Sequence, residues 1–379
     1  MNRREFLVAG AIAGLAASTR LASAAVRFDM YTDSDANISD FWSNVIKPAF
    51  EASNADVDLN VVIARTGGGT TTVVERALAA LASKTDPQLD FIEEFDPLSV
   101  KGAVEAGLWT DLSKAGLQNY GKLNKDAIQT VWSLPYRGSQ VLLAYDTTKL
   151  PKDKVPKTFA DLVAWIKANP GEFIYNRPDK GGSGGNFVRR AIHEANGRDP
   201  GVFKIDNYKK GESDELLAKG FAILNDIAPS LYDKGSYTAG NSASLQLLAQ
   251  GAVTMIPLWS DMALQAIAKG VLPETTGLVQ LSDLALCGGF SAAVVPVNAA
   301  NHAVAVKLAD FLLSADIQTK IITDLGGFPA VNWSELPADL QAKYADVIPA
   351  SIPTFPGGDW DAAINDGWYR TVAPSLSRS

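Results

Sequence analysis

Two segments of the sequence combine side chains and backbone that could hold a small charged molecule. Trp259-Ser260-Asp261 places an aromatic face beside a carboxylate, which suits a cation or a ring-bearing ligand. Lys180–Phe187 is rich in glycine and opens a predicted helix, so its N–H groups could meet an anion. The competing interpretations are a core tryptophan followed by a helix cap, and a flexible loop whose glycines only permit a turn.

Other candidates follow from where ligands bind in open α/β sheets, which is beyond the carboxyl ends of the strands. For Asp33 the alternative is a helix cap, for Glu94 a solvated or arginine-paired carboxylate, and for Phe290 a core position. Acidic and aromatic loops favour a cationic solute, whereas the glycine-rich helix start favours an anion, so a zwitterion would satisfy both. The predicted ligand-binding residues are Tyr31, Asp33, Glu94, Tyr136, Gly182, Ser183, Gly184, Asn186, Asn241, Trp259, Asp261 and Phe290.

The sequence offers little for catalysis. It has two histidines, His193 and His302, both predicted to lie on the surface, and no Gly-x-Ser-x-Gly motif follows a strand. The single cysteine, Cys287, is interpreted as a buried inert thiol, and a His/Cys metal centre is nearly excluded. We therefore predict no catalytic residue, no metal and no cofactor. An exported hydrolase with paired carboxylates is the enzymatic alternative, although no spacing singles out such a pair.

The bulk composition indicates a globular protein that does not bind nucleic acid. The 379 residues are 47% hydrophobic, enough to fill two cores without a disulfide or a metal. The net charge of −8, without a run of Lys or Arg, argues against nucleic acid and against an anionic membrane face.

Residues Met1–Ala24 are typical of an export signal. Arg3-Arg4 precedes an apolar stretch, and the segment ends in the small residues Ala22-Ser23-Ala24. Arg3–Leu7 resembles a twin-arginine signal; a general secretory signal with two ordinary basic residues is the alternative. We expect cleavage near Ala24 and a soluble periplasmic protein.

Alternating strands and helices predict an α/β fold with mainly parallel sheets. Two uncharged runs, Leu134–Asp146 and Cys287–Val297, are interpreted as strands that cross between two lobes. A cleft between lobes is a favoured place for a ligand. The predicted organisation is a signal peptide (1–24), lobe 1 (25–137 and 289–328), lobe 2 (138–288), and a C-terminal segment packing mainly on lobe 2 (329–379).

Several phrases resemble the family-1 extracellular solute-binding proteins of bacterial ABC importers. Their order and spacing carry the likeness, and they are Pro87–Phe91, Gly107–Leu112, Leu134–Asp146, Pro156–Leu162, Gly288–Ala292 and Ala305–Leu313. Asn176–Asn186 followed by Phe187–Ala191 resembles a YnjB-type subgroup near thiamine- and polyamine-type binders. The tandem tyrosines expected of ferric-ion binders are missing.

The resemblance implies a two-lobed type II periplasmic binding fold and a non-catalytic role. The lobes would close on a small polar solute, such as a cation or zwitterion, by a population shift. The loaded protein, expected to be a monomer, would then dock on an inner-membrane ABC permease. A binding protein that serves a chemoreceptor is the other alternative.

Overall fold

The computed structural model describes residues 25–64, 69–344, 353 and 358–376. The predicted signal segment 1–24 lies outside the described residues. In the described part of the chain, no helix is both long and apolar enough to cross a membrane.

The described chain alternates strands and helices in the manner predicted. The strands are β1 (Val26–Thr32), β2 (Val57–Ile63), β3 (Phe91–Glu93), β4 (Leu134–Tyr145), β5 (Met255–Trp259), β6 (Gly277–Val279), β7 (Gly288–Val294) and β8 (Phe328–Pro329). The helices are α1 (Ala36–Phe41), α2 (Lys47–Ser53), α3 (Gly69–Ser83), α4 (Phe159–Ala168), α5 (Ser183–Ala195), α6 (Lys210–Ile227), α7 (Asn241–Ala249), α8 (Ser260–Ala268), α9 (His302–Leu312), α10 (Ala315–Lys320), α11 (Ala338–Tyr344) and α12 (Asp359–Thr371).

The strands form one open sheet in the order β2-β1-β3-β7-β4-β5, with β6 and β8 also paired to β4. β1 pairs in parallel with β2 and β3, as predicted. The pairs that join β7 to β3 and β4, and β4 to β5, are antiparallel. The sheet is therefore mixed, and the prediction of mainly parallel pairing is wrong for the strands near the crossings. Outside these strands, Phe173 and Asn176 form isolated parallel bridges with Met255 and Thr238.

Two sets of apolar side chains pack separately on either side of the middle of β4. The first set fills the space around β1, α1, α9 and α10 and includes Phe28, Trp42 and Leu308. The second fills the space around α4, α5, α6 and α12 and includes Phe159, Phe187 and Trp368. We call the halves built on these two sets lobe 1 and lobe 2.

Strand β4 supplies side chains to both lobes. Leu134 and Tyr136 pack in the first set, whereas Val141, Leu143 and Tyr145 pack in the second. A single strand of 12 residues thus passes from one core to the other.

The return crossing is β7, which pairs with β4. Cys287 directly precedes β7 and has no exposed surface. Burial raises the pKa of its thiol to about 11, in agreement with the predicted inert cysteine.

The C-terminal segment does not pack on one lobe alone. Val331 and Leu340 join the core of lobe 1, whereas Trp360 and Trp368 join that of lobe 2. Helix α12 thus packs on the core of lobe 2, whereas the described residues from β8 to α11 contribute to that of lobe 1.

Helix α5 is enclosed on all sides, and one expectation about it is wrong. His193 was predicted to lie on the surface, but only 1% of it is exposed. Its ring packs 5.1 Å from that of Phe203, and desolvation, together with Arg190 and Arg189, lowers its pKa to about 4. His302 lies half-buried, and its Nε2 is 2.8 Å from the hydroxyl of Thr110.

We predict that Gly220→Ala destabilises the protein by about 1–3 kcal/mol because α6 approaches α5 too closely for a side chain. A Cβ at Gly220 would lie 2.6 Å from Ile192 Cα. Gly211→Ala, on the same helix with open space around it, is the matched control and should be neutral or slightly stabilising. Urea unfolding of both variants checks this; equal midpoints would contradict the close approach.

Candidate functional site

Carboxylates gather at one edge of the sheet, where two neighbouring parallel strands end. β1 ends at Thr32 and is followed by Asp33 and Asp35, and β3 ends at Glu93 and is followed by Glu94. Because β1 and β3 run in parallel, their carboxyl ends meet at the same edge. This edge forms the lobe 1 side of what we call the groove.

Glu93 is a buried carboxylate whose two oxygens are both occupied. Oε2 accepts hydrogen bonds from Thr32 Oγ1 at 2.6 Å and Ser34 Oγ at 2.7 Å. Oε1 accepts from Tyr136 OH at 2.6 Å and Arg137 Nη2 at 3.2 Å. With no exposed surface and four donors, Glu93 organises the site and does not contact a solute.

A bulge in β4 brings Tyr136 and Arg137 to the same carboxylate. Neighbouring residues of a regular strand point to opposite faces. The register between β4 and β7 shifts between Pro135 and Arg137, and the Arg137 Nε lies 2.8 Å from the Tyr136 hydroxyl. The bulge re-aims one side chain, as bulges near functional sites do.

Glu94 reaches the groove from a left-handed backbone position with φ of 55°. Its Oε2 accepts from Arg137 Nη2 at 2.8 Å and shares the single hydroxyl hydrogen of Ser34 with Glu93 Oε2. Loss of water raises the pKa of this carboxyl to about 7; Arg137 opposes the shift, and the charges of Glu93 and Asp33 add to it. The side chain still exposes 47% of its surface, so groove water moderates the effect.

On the lobe 2 side, Asp261 lies at the start of α8 and is 4% exposed. Its Oδ1 accepts from Ser139 Oγ at 2.6 Å, and its Oδ2 accepts from Asn37 Nδ2 at 3.2 Å. Because Asn37 belongs to α1, this second bond joins the two lobes.

Asn241 makes a second connection between the lobes. Its Nδ2 donates to Asp35 Oδ2 at 2.7 Å and to the Gly181 carbonyl. Its Oδ1 accepts from Ser183 Oγ at 2.7 Å. The start of α7 is thereby fastened both to the start of α5 and to the loop after β1.

The predicted anion-binding role of the glycine-rich helix start needs correction. The amide of Gly184 donates to Asn176 Oδ1 at 2.8 Å, and the Ser183 hydroxyl shares its single hydrogen between this oxygen and Asn241 Oδ1, each at 2.7 Å. The amide of Ser183 points to Asn241 Oδ1 at 3.3 Å, and that of Asn186 to Gly182 O at 2.9 Å. Protein oxygens therefore occupy the positions that an anion would take.

The glycines of this segment serve close packing. A Cβ at Gly184 would lie 1.7 Å from the Asn176 carbonyl oxygen, and one at Gly182 would lie 2.9 Å from the Trp259 ring. Trp259 Nε1 donates to Gly181 O at 2.8 Å, which fixes the ring against the loop that precedes α5. Asn186 is fully buried, behind this surface.

Three predicted aromatic residues have different positions. Tyr31 was expected to face the cleft. Its ring instead packs beside α3, and its hydroxyl accepts a hydrogen bond from Arg76 Nη2 at 3.3 Å. This placement corrects the prediction. The reason is strand alternation: Thr32 points to Glu93, so its neighbour points away. Tyr136 is fully buried and supports Glu93. Phe290 is half-buried against Gly138 on β4.

The structure brings Asp33, Glu94, Asn241, Trp259 and Asp261 to the strand ends around the groove. Residues that the sequence reasoning passed over complete it, namely Ser34, Asp35, Asn37, Ser139 and Arg137. Most follow β1 or flank a predicted residue, so the strand-end rule contained a signal for them. Arg137 had no such signal because the bulge decides where it points.

The described residues around the groove form no metal-binding cluster, and the groove lies apart from a cavity on lobe 2. In residues 25–64, 69–344, 353 and 358–376, no group of three or more His, Cys, Asp or Glu could hold a metal ion. The cavity, of about 680 Å³, is lined by Arg177, Lys234, Tyr237 and the chain around Pro374. It shares no residue with the groove.

The fold and the two-sided groove are those of a binding protein, and sequence comparison identifies the class. Residues 46–347 match the model of the bacterial extracellular solute-binding protein family. The chain belongs to this family, whose members bind solutes and are not enzymes. This supports the sequence prediction of a non-catalytic protein.

Individual relatives agree with this class. The chain is 26% identical over 247 residues to protein YnjB of Escherichia coli strain K12, a match that spans 62% of this chain and 61% of the relative. Three solved structures share the two-lobed fold. They are a periplasmic thiamin binding protein (16% identity, TM-score 0.64, covering 93% of this chain and 97% of that one), the substrate binding protein of an Agrobacterium tumefaciens ABC transporter (14%, 0.64, 94% and 96%), and iron-bound HitA from Pseudomonas aeruginosa (15%, 0.60, 92% and 99%).

We predict that the free energy of unfolding of Glu94→Gln, compared with that of the wild type, increases as the pH rises. A folded-state pKa near 7, above the ordinary 4.5, stabilises the fold below about pH 4.5, and this contribution is lost as the pH rises to 7. After allowance for water in the groove, we expect about 1 kcal/mol.

Urea unfolding at pH 4.5 and pH 8 measures this difference. Glu105→Gln, at an exposed position, is the control. A stability difference between Glu94→Gln and wild type that is the same at both pH values would contradict the shift.

Proposed function

We propose that the protein is the solute-binding component of an ABC importer and captures a small cationic or zwitterionic solute in the groove. The observation that carries this is the excess of carboxylates there. Asp33, Asp35, Glu94 and Asp261 line it, whereas the Arg137 guanidinium is bound by Glu93 and Glu94. A cation would relieve the mutual repulsion of these carboxylates.

The site residues divide into those that contact the solute and those that support them. We assign contact to Asp33, Glu94 and Trp259, with Phe290 at the margin, whereas the buried Asn241 and Asp261 close the groove between the lobes. The Trp259 ring, held by its hydrogen bond to Gly181, suits a cation or an aromatic ring of the solute. Tyr136, Gly182, Ser183, Gly184 and Asn186 support this surface through hydrogen bonds and packing.

Lobe closure is the capture step. In this proposal residues 25–137 and 289–328 form one lobe and 138–288 the other, with α12 on the second. The Asp35–Asn241 and Asn37–Asp261 hydrogen bonds would help hold the closed state. A solute that contacts both lobes shifts the population toward that state, and the closed monomer delivers it to an inner-membrane permease.

The relatives suggest which cations to test. One similar structure is a thiamin binding protein and another holds iron. Thiamine combines a fixed positive charge with aromatic rings, which matches a groove that contains both carboxylates and a tryptophan. Iron fits less well, since the described residues lack a metal-binding group and the tandem tyrosines are missing from the sequence.

A thermal-shift panel with thiamine, choline, spermidine, phosphate and ferric citrate tests the charge of the solute. We expect at least one organic cation to raise Tm and to be recovered unchanged, with phosphate giving no shift. Asp261→Asn and Glu94→Gln should each weaken binding about tenfold or more, whereas Glu105→Gln should not. Stabilisation by phosphate alone, or turnover of a bound compound, would reject the proposal.

Export through the twin-arginine route places the protein in the periplasm in this proposal. Replacing Arg3 and Arg4 together with lysine should block the appearance of the mature chain in the periplasmic fraction. Pulse-chase fractionation measures this. Unchanged export of the double variant would instead support the general secretory route.

A further inference from the structure

We infer that Arg137 is a positioning residue for cation capture, because it binds Glu93 and Glu94 together and so orients Glu94 toward the groove. This inference rests on the proposed function for its purpose. Its geometry, however, can be tested without a solute.

The Arg137 side chain is buried and held by several partners. Only 4% of its side chain is exposed, and its Nη2 contacts Glu93 Oε1 at 3.2 Å and Glu94 Oε2 at 2.8 Å. Its Nε donates to the Tyr136 hydroxyl, which itself donates to Glu93. Glu93 and Tyr136 therefore hold the guanidinium in place independently of Glu94.

These contacts give Glu93 and Glu94 different roles. Glu93 has both oxygens filled by four donors and no exposed surface. Glu94 has its described hydrogen bonds on Oε2, from Ser34 and Arg137, and exposes nearly half of its side chain. The remaining oxygen of Glu94 is thus the one available to a solute.

The charges around Glu94 leave an uncompensated negative charge. Glu93 and Arg137 come from β3 and β4, Asp33 comes from the loop after β1, and Asp261 on α8 also acts on Arg137. One guanidinium shared by two carboxylates neutralises only one of them. Burial opposes the charge of Arg137, but Tyr136, Glu94, Glu93 and Asp261 together raise its pKa, so it stays charged.

Proton binding at Glu94 follows mainly from its loss of water, and the charges of Glu93 and Asp33 add to it against the opposing charge of Arg137. The carboxyl, whose pKa is raised to about 7, holds a proton part of the time near neutral pH. Entry of a cation replaces that proton and leaves Glu94 ionised. Affinity for a permanently charged solute should therefore rise about tenfold from pH 6 to pH 8.

Carbon-13 NMR of glutamate-labelled protein tests the role of Arg137 without a solute. The carboxyl signal that disappears in Glu94→Gln should titrate near pH 7 in the wild type. In Arg137→Gln it should titrate at higher pH, and Arg137→Lys, which keeps the charge, should restore most of the difference. Titration near pH 4.5 in the wild type, or the same midpoint in all folded variants, would overturn the inference.

Ser34→Ala covers the case in which Arg137→Gln does not fold. This variant removes an uncharged donor from the same Glu94 oxygen, so the pKa of Glu94 should rise by less than in Arg137→Gln. Ser113→Ala, which removes an exposed hydroxyl bound to Asp111, is the matched control and should leave the Glu94 signal unchanged. An unmoved midpoint in Ser34→Ala would contradict the geometry.

Calorimetric titration with choline and thiamine at pH 6, 7 and 8 tests whether solute affinity follows the ionisation of Glu94. Wild-type affinity should follow the ionisation of Glu94, and the dependence should be lost in Glu94→Gln. Binding without pH dependence would reject the inference while keeping the proposed function. Absence of binding at every pH would count against the proposed function with these cations, and the NMR result would still decide the role of Arg137.

Discussion

Glu93 and Arg137 form an ion pair where β3 and β4 approach, and neither side chain has more than 4% of its surface exposed. Two charges removed from water are tolerated only when their remaining hydrogen-bonding capacity is filled. Thr32, Ser34 and Tyr136 supply the donors that Glu93 needs. Loss of one partner of such a pair typically costs about 3–5 kcal/mol, so the pair constrains the sheet edge as well as the groove.

The groove is built outward from this pair and depends on both lobes. The same strand edge presents Glu94, while Asp35 and Asn37 extend from the following turn and helix toward Asn241 and Asp261. A single hydrogen bond contributes little net stability, typically about 1 kcal/mol. The lobes also meet where Gln265 donates to the Asp324 carbonyl and where Lys269 pairs with Asp40. In the proposed capture step, a solute that adds contacts to both sides shifts the balance toward the closed state.

Much of this could be predicted from the sequence. The apolar runs 134–146 and 287–297 predicted the crossing strands, and strand ends predicted Glu94 and Asp261. Tyr31 was misjudged because its side of β1 depends on register, and Arg137 was missed because a bulge breaks the alternation. His193 shows the same limit, since enclosure of α5 comes from packing partners distant in sequence.

The buried cysteine at the return crossing has a practical consequence. Cys287 is shielded from solvent, and its thiol stays protonated at neutral pH because the thiolate, the reactive form, is disfavoured there. Maleimide dyes or spin labels would leave it unmodified. Two cysteines introduced on the outer faces of the lobes would then be the residues that react, so the proposed opening and closing motion could be followed in real time on the otherwise native chain.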